Sequence, residues 1–226
     1  MSSEGPAPAP GPSAGPVPAP APEARVPAVL TTKTLTYRTL NGLAKLGSRT
    51  LFPTRYEGRE HLPAAGPLVL CSNHQSYLDI PLIAAGVPRH VSFVARESLA
   101  RSPLLARFME RCGAVLVRRG EADHGALKEM VAHLAAGDCV CIFPEGSRTK
   151  DGSIGEFRRG ALLAARRGRA PVVPVAVTGS FEAWPPGQGL PRPHRIRIRF
   201  GEPVDPRDRD ALEKVRGRVA ELAEGE

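Results

Sequence analysis

The sequence has no apolar run long enough to cross a membrane as a helix. Arg, Lys, Pro or Gly interrupts every apolar segment of its 226 residues before the roughly 18 residues that a spanning helix needs. Aromatic residues make up only 5% of the chain, too few for the stacking platforms on which single-stranded nucleic acids bind. We therefore expect neither a spanning helix nor a nucleic-acid partner.

Cysteine is also scarce, and its spacing does not match a zinc site. The four cysteines lie in or beside apolar segments, where a free thiol behaves as a small buried hydrophobe: Cys71, Cys112, Cys139 and Cys141. The amino terminus has no basic stretch followed by an apolar one, so no secretory signal is predicted. These features predict reduced thiols, no metal and a cytoplasmic protein.

Positive charge is what the chain has in excess. Its 31 Lys and Arg residues against 23 Asp and Glu give a net charge of +8. Residues 1–27 contain two Glu and one Arg, so the remainder is the basic part, at +9. Such a surface favours anionic partners, namely acidic lipid headgroups or phosphate-bearing and acyl-carrier substrates.

The composition predicts three regions. Residues 1–29 form an Ala/Pro-rich tail, predicted to be disordered because it cannot bury enough apolar surface to offset its ordering. Residues 30–55 form an amphipathic helical segment in which leucines alternate with Lys and Arg. This segment either lies on an anionic membrane surface or packs on the domain's own core. Residues 56–226 form the main domain, which ends in a helix at about 206–224.

Apolar runs alternate with helical patterns in the main domain. This alternation predicts an α/β fold with a largely parallel central sheet flanked by helices. Strands are expected at 67–73, 90–95, 113–118, 139–144 and 171–177, and at 195–200, where alternating Ile and Arg predict one buried and one solvated basic face. Helices are expected at 78–86, 97–111, 122–136 and 157–168.

The first candidate site follows the strand at 67–73. In the run CSNHQSYLD, His74 and Asp79 can meet only if His74 lies in a turn and Asp79 in the first turn of a helix. That position is the carboxyl edge of the sheet, where open α/β sheets bind ligands. A carboxylate would fix the tautomer of the imidazole, which could then take a proton from a hydroxyl.

The second candidate site is the run CIFPEGSRTKDG at 141–152. Pro144 and Gly146 end a strand in a tight turn, and Arg148 and Lys150 place positive charge beside backbone N–H groups. Such a turn can hold a phosphate. The spacing of a nucleotide-binding P-loop is absent, and so is the nucleophile elbow of serine hydrolases.

Together, NHQSYLD and FPEGSRT resemble the motifs of the glycerolipid acyltransferase family, and the resemblance extends from about Tyr56 to Val204. The family's Lys-x-Glu-Leu box is matched by VARESL, with Arg96 at the Lys position and Ser98 at the Glu position. Arg118 matches an Arg near the end of the same box. Residues 157–160 match a Phe-Lys-x-Gly motif that follows FPEGSRT in the family.

The resemblance implies direct acyl transfer from acyl-CoA or acyl-carrier protein to the free hydroxyl of a lysophospholipid, with no cofactor and no metal. The expected acceptor is 1-acyl-sn-glycerol-3-phosphate, which would give phosphatidic acid. The resemblance also implies a catalytic pair, with His74 as general base and Asp79 orienting it. The implied substrate-binding residues are Arg96, Arg118, Glu145, Gly146, Ser147, Arg148 and Arg158. The expected location is the cytoplasmic face of the membrane, as a peripheral protein.

Two other interpretations remain open from the sequence. The acceptor could be a different lysolipid or alcohol, because Ser98 replaces a carboxylate of the family pattern. Alternatively, the protein could be a non-catalytic lipid-binding or membrane-binding member of the same fold. Trp184 could pack beside the site or lie at a membrane interface. The other histidines, including His133, show no partner spacing and are predicted to be ordinary surface or turn residues.

Overall fold

The computed structural model describes residues 35–96, 114–117 and 122–225. The strands in this part of the chain are β1 Thr54–Glu57, β2 Leu68–Ser72, β3 Val91–Arg96, β4 Ala114–Val117, β5 Cys139–Ile142, β6 Val172–Thr178 and β7 Ile196–Phe200. The helices there are α1 Leu35–Gly47, α2 Asp79–Gly86, α3 Ala122–Ala135, α4 Gly160–Arg167, α5 Ser180–Ala183 and α6 Ala211–Glu224, with a 3₁₀ turn at Arg59–His61.

The strands form one sheet in the order β1-β7-β6-β2-β5-β3-β4. Neighbouring strands are parallel except for β6 and β7, which run antiparallel. The predicted α/β fold with a largely parallel, helix-flanked sheet is therefore confirmed. Its central strands β6, β2, β5 and β3 end at the same edge, because all four run in the same direction.

Alternate residues of the strands build two separate cores on the two faces of the sheet. In β2, Leu68 and Leu70 face the core under α2 and α5. Val69 and Cys71 face the opposite core, under α3, α4 and α6. All four side chains are at most 1% exposed, as expected for a parallel strand covered by helices on both faces.

Most of the predicted elements occur within a few residues of their expected bounds. Neither β1, a four-residue edge strand, nor the short helix α5 was predicted from the sequence. The expected helix at 97–111 lies outside the described residues, as do the tail at 1–29, Cys112 and Arg118. The other three cysteines are buried free thiols, and burial raises the pKa of Cys71 and Cys139 to about 12.

The prediction of a solvated basic face on β7 is wrong for one of its arginines. Arg199 is only 7% exposed. Its Nε donates to the Glu57 carboxylate at 2.9 Å, and its Nη1 donates to the Leu222 carbonyl at 2.6 Å. A buried guanidinium needs such partners, and β1 and the end of α6 supply them from segments distant in sequence.

His133 also differs from its prediction, because it has a partner and is buried. Its Nδ1 lies 2.8 Å from Asp138 Oδ2, and the two side chains are 8% and 6% exposed. His133 and Asp138 thus repeat the His-x4-Asp spacing of His74 and Asp79. They lie between α3 and the start of β5, at the amino edge of the sheet and opposite the predicted site.

Helix α1 packs on the domain through one face and exposes another. The Tyr37 side chain is 5% exposed, and its hydroxyl accepts a hydrogen bond from the Val91 N–H at 3.3 Å. The leucines of the opposite face are exposed by more than half: Leu35, Leu43 and Leu46, followed by Leu51. None of the described helices is long and apolar enough to cross a bilayer.

Candidate functional site

The carboxyl edge of the central strands brings the two predicted motifs together. Strands β2 and β5 are neighbours, with Cys71 paired to Ile142 near their ends. The chain after β2 carries His74, and the chain after β5 carries Glu145 and Arg148. Two segments about seventy residues apart therefore form one site because the sheet aligns their ends.

His74 and Asp79 form a hydrogen-bonded pair. The Nδ1 of His74 lies 2.8 Å from Asp79 Oδ2, and the same oxygen accepts the backbone N–H groups of Gln75 at 2.7 Å and Ser76 at 2.8 Å. Asp79 is fully buried, whereas the His74 side chain is 15% exposed. The tight turn between β2 and α2 thus wraps around the carboxylate and leaves the imidazole accessible.

This geometry assigns the tautomer of the imidazole. A carboxylate can only accept, so Nδ1 carries the proton and Nε2 holds the free electron pair. No described residue hydrogen bonds to Nε2. The ring stacks on Phe143, with centroids 3.9 Å apart and an interplanar angle of 16°. His74 therefore has a fixed orientation and one ring nitrogen available as a base.

The loop after β5 fixes the backbone of His74. The His74 N–H donates to Glu145 Oε1 at 3.1 Å, and its carbonyl accepts the Thr149 N–H at 2.8 Å. Burial raises the pKa of Glu145 above its ordinary value of 4.5, an effect that the N–H groups of His74 and Gly155 partly offset. Glu145 thus contacts the backbone of the proposed base.

Arg148 is placed beside this pair by an aromatic side chain. Its guanidinium carbon lies 3.5 Å from the centroid of the Tyr77 ring, and Tyr77 lies in the turn between His74 and Asp79. Its Nη1 is buried, and no described group hydrogen bonds to it. A buried, unpaired guanidinium nitrogen is costly unless a ligand satisfies it, so this nitrogen is a donor available to a ligand.

A cavity of about 400 Å³ opens beside Arg148. Ser147, Lys150 and Arg158 line it together with acidic residues of the same loop. Gly146 turns the chain there with a φ of +73°, and a methyl group on it would lie 3.4 Å from the Arg158 guanidinium. Ser147 and Arg158 are exposed. The predicted residues Ser147, Arg148 and Arg158 after β5 therefore line one cavity.

Two predicted binding residues are less closely defined by the structure. The backbone of Arg96 ends β3 at the same edge, paired with Val117 of β4. Arg118 lies outside the described residues. The Trp184 ring packs beside the site, with its centroid 5.4 Å from that of Tyr77, and Ser76 Oγ donates to the Trp184 carbonyl at 2.9 Å.

Three residues of the site were missed or only partly understood from the sequence. Phe143 supplies the ring under His74. The Asn73 side chain joins β2 to β6 by two hydrogen bonds, to the N–H of Val177 at 2.8 Å and to its carbonyl at 2.9 Å. Ser180 Oγ donates to Asp79 Oδ1 at 2.6 Å. Only the position of Ser180 just after an apolar strand could have indicated its place at this edge.

The chain belongs to the acyltransferase family, whose profile matches residues 53–178. It is 32% identical over 189 residues to the chloroplastic 1-acyl-sn-glycerol-3-phosphate acyltransferase of Arabidopsis thaliana, covering 79% of this chain and 52% of that protein. It is 28% identical to the 1-acyl-sn-glycerol-3-phosphate acyltransferase of Bacillus subtilis, covering 66% of this chain and 73% of that one.

A solved structure shares the fold. The crystal structure of the 1-acyl-sn-glycerophosphate acyltransferase PlsC from Thermotoga maritima superimposes with a TM-score of 0.71 at 29% identity, covering 84% of this chain and 78% of that chain. The chain spans about half the length of the plant relatives it matches, at 52% and 54%. The resemblance seen in the motifs is confirmed at the level of the family.

Proposed function

We propose that this protein transfers an acyl chain from an acyl thioester to the free hydroxyl of 1-acyl-sn-glycerol-3-phosphate, giving phosphatidic acid. The observation that carries the proposal is the accessible His74 imidazole, paired with buried Asp79 and adjacent to the loop that holds Arg148 over Tyr77. The names of the plant and bacterial relatives support this acceptor.

The reaction follows from the available Nε2 of His74. This nitrogen takes the proton of the acceptor hydroxyl while the hydroxyl oxygen attacks the thioester carbonyl carbon. The tetrahedral intermediate then collapses, the carbon–sulfur bond breaks and the new ester remains. The departing thiolate takes the proton back from the imidazolium and leaves as a thiol, so no acyl-enzyme forms. Asp79 stabilises the imidazolium during this exchange.

Arg148 is proposed to bind the acceptor phosphate. A charge-assisted hydrogen bond from its buried Nη1 to a phosphate oxygen would satisfy a donor that has no partner among the described residues. Arg158 adds positive charge at the rim, and the turn at Gly146 and Ser147 lets the headgroup approach the backbone. Arg96 and Arg118, which match the family's Lys-x-Glu-Leu box, are proposed as further phosphate contacts.

The location proposed for the protein is the cytoplasmic face of an anionic membrane, as a peripheral protein. The exposed leucines of α1, defined above, form an apolar face, and Arg38, Lys45 and Arg49 are exposed on the same segment. Such a helix lies in the membrane interface with its apolar face buried. The acyl donor is proposed to be acyl-CoA or acyl-carrier protein, which reaches the site from the cytoplasm.

The position of the His74–Asp79 pair, called the dyad below, disfavours the alternative of a non-catalytic lipid-binding protein. The His133–Asp138 pair shows that such a contact can be structural. The His74–Asp79 pair differs because it lies at the carboxyl edge of the sheet, where the loop that carries Arg148 holds the His74 backbone. The acceptor class is less constrained, so the assay should include other lysolipids.

The first prediction concerns His74. In an assay of acyl transfer from labelled acyl-CoA or acyl-carrier protein to a panel of lysolipids, His74→Ala should lower kcat by about 10²- to 10⁴-fold, the contribution of a positioned general base. His133→Ala is the matched control, because it removes an imidazole with the same spacing and the same 2.8 Å contact to a carboxylate, and its folded fraction should keep transfer activity. Near wild-type transfer by folded His74→Ala would refute the general-base assignment.

The second prediction concerns the acceptor phosphate. Arg148→Ala should reduce kcat/KM for lysophosphatidate at least about 10-fold more than for a zwitterionic lysolipid, because only the first carries a phosphate monoester. Arg148→Lys should retain part of the preference, since it keeps the charge but loses the planar fork. Exposed Arg159 provides the control substitution Arg159→Ala. An unchanged ratio of the two kcat/KM values in Arg148→Ala would remove the phosphate role.

The third prediction concerns the membrane. The double substitution Leu43→Asp with Leu46→Asp changes two side chains that are each 59% exposed. It should weaken binding to phosphatidylglycerol vesicles by more than about 10-fold in a flotation assay, because burying a leucine contributes about 1.5 to 3 kcal/mol. Leu163→Asp on α4, at 41% exposure, is the control on the opposite face of the sheet. Equal binding by both variants would mean that α1 does not contact the membrane.

A further inference from the structure

Ser180 belongs to neither predicted motif, yet it contacts the dyad. Its hydroxyl donates to Asp79 Oδ1 at 2.6 Å, and both residues are fully buried. The other carboxylate oxygen, Oδ2, accepts from His74 and from two N–H groups of the turn. Ser180 is the one described residue that donates to Oδ1.

The chain is shaped locally so that Ser180 reaches the carboxylate. Strand β6 ends at Thr178, and Gly179 follows with a φ of +83°. A methyl group on Gly179 would lie 2.2 Å from the Arg195 carbonyl oxygen, so this turn requires glycine. The two hydrogen bonds between the Asn73 side chain and the Val177 backbone hold the end of β6 against the end of β2. Ser180 thus occupies a fixed position beside Asp79.

We propose that Ser180 is a positioning residue of the dyad: it fixes the plane of the Asp79 carboxylate, so that Oδ2 meets His74 Nδ1. This inference rests on the proposed function, in which His74 is the base. Without the Ser180 hydroxyl, Oδ1 is a buried anionic oxygen with no donor among the described residues, which is unfavourable. The carboxylate can then turn away from its optimal alignment with the imidazole.

The loss of the hydroxyl has two expected consequences. Misalignment of the imidazole lowers kcat/KM at its plateau. The turned carboxylate also stabilises the imidazolium less, which moves the acid limb of the kcat/KM profile to lower pH. The other titratable groups facing the dyad are Glu145 after β5 and the Cys141 thiol, whose pKa values burial raises. Both are unchanged in the substitution.

The test compares Ser180→Ala with Ser92→Ala. Ser92 is also fully buried, on β3, and its hydroxyl has no hydrogen-bond partner among the described residues. The two variants therefore lose the same atom from the interior, but only one of them loses a bond to the dyad. Ser180→Thr is the variant that keeps the hydroxyl. Each protein is studied by thermal unfolding, by NMR titration of the His74 ring and by acyl transfer as a function of pH.

We expect Ser180→Ala to lose about 10-fold or more in kcat/KM, as for a hydrogen bond to a charged group, and its His74 titration and acid limb to move to lower pH. Ser180→Thr should recover the wild-type titration, and Ser92→Ala should match wild type. The inference is overturned if Ser180→Ala changes thermal stability alone, with the His74 titration unmoved. Because that titration needs no substrate, an altered titration in a protein that transfers no acyl group would contradict the proposed function and leave the positioning role supported.

Discussion

The burial of one carboxylate constrains the whole carboxyl edge of this sheet. Asp79 is inaccessible to water, so every part of its charge must be met by protein donors. The donors come from the turn after β2, from the His74 ring and from Ser180 after β6. A turn, a helix start and a neighbouring strand end are thereby held together around a single ionised group.

From this carboxylate the arrangement extends outward to the substrate positions. Asp79 orients His74, and the loop after β5 holds the His74 backbone at both its N–H and its carbonyl. The same loop carries Arg148, which Tyr77 supports from beneath. The proposed proton acceptor and the proposed phosphate contact are therefore parts of one rigid unit, which is how a scaffold keeps a hydroxyl and a headgroup at a fixed separation.

The sequence predicted the parts of the site that are encoded in short motifs. It did not predict contacts between residues that are distant in sequence. The His-x4-Asp spacing occurs twice, at His74 and at His133, with the same 2.8 Å contact. Only the position of each pair, at the carboxyl or the amino edge of the sheet, distinguishes the candidate site from the structural pair. Arg199 and Ser180 were not predictable, because their partners lie on segments distant in sequence. The apolar runs predicted the central strands well, since a strand buried on both faces needs no distant information.

The most direct measurement is a crystal structure with 1-acyl-sn-glycerol-3-phosphate bound in the absence of an acyl donor. The account predicts that the free hydroxyl of the glycerol lies within about 3.2 Å of His74 Nε2, the reach of a general base, and that a phosphate oxygen accepts a hydrogen bond from Arg148 Nη1. A bound lipid whose hydroxyl lies away from His74, or whose phosphate is held on another surface, would contradict it.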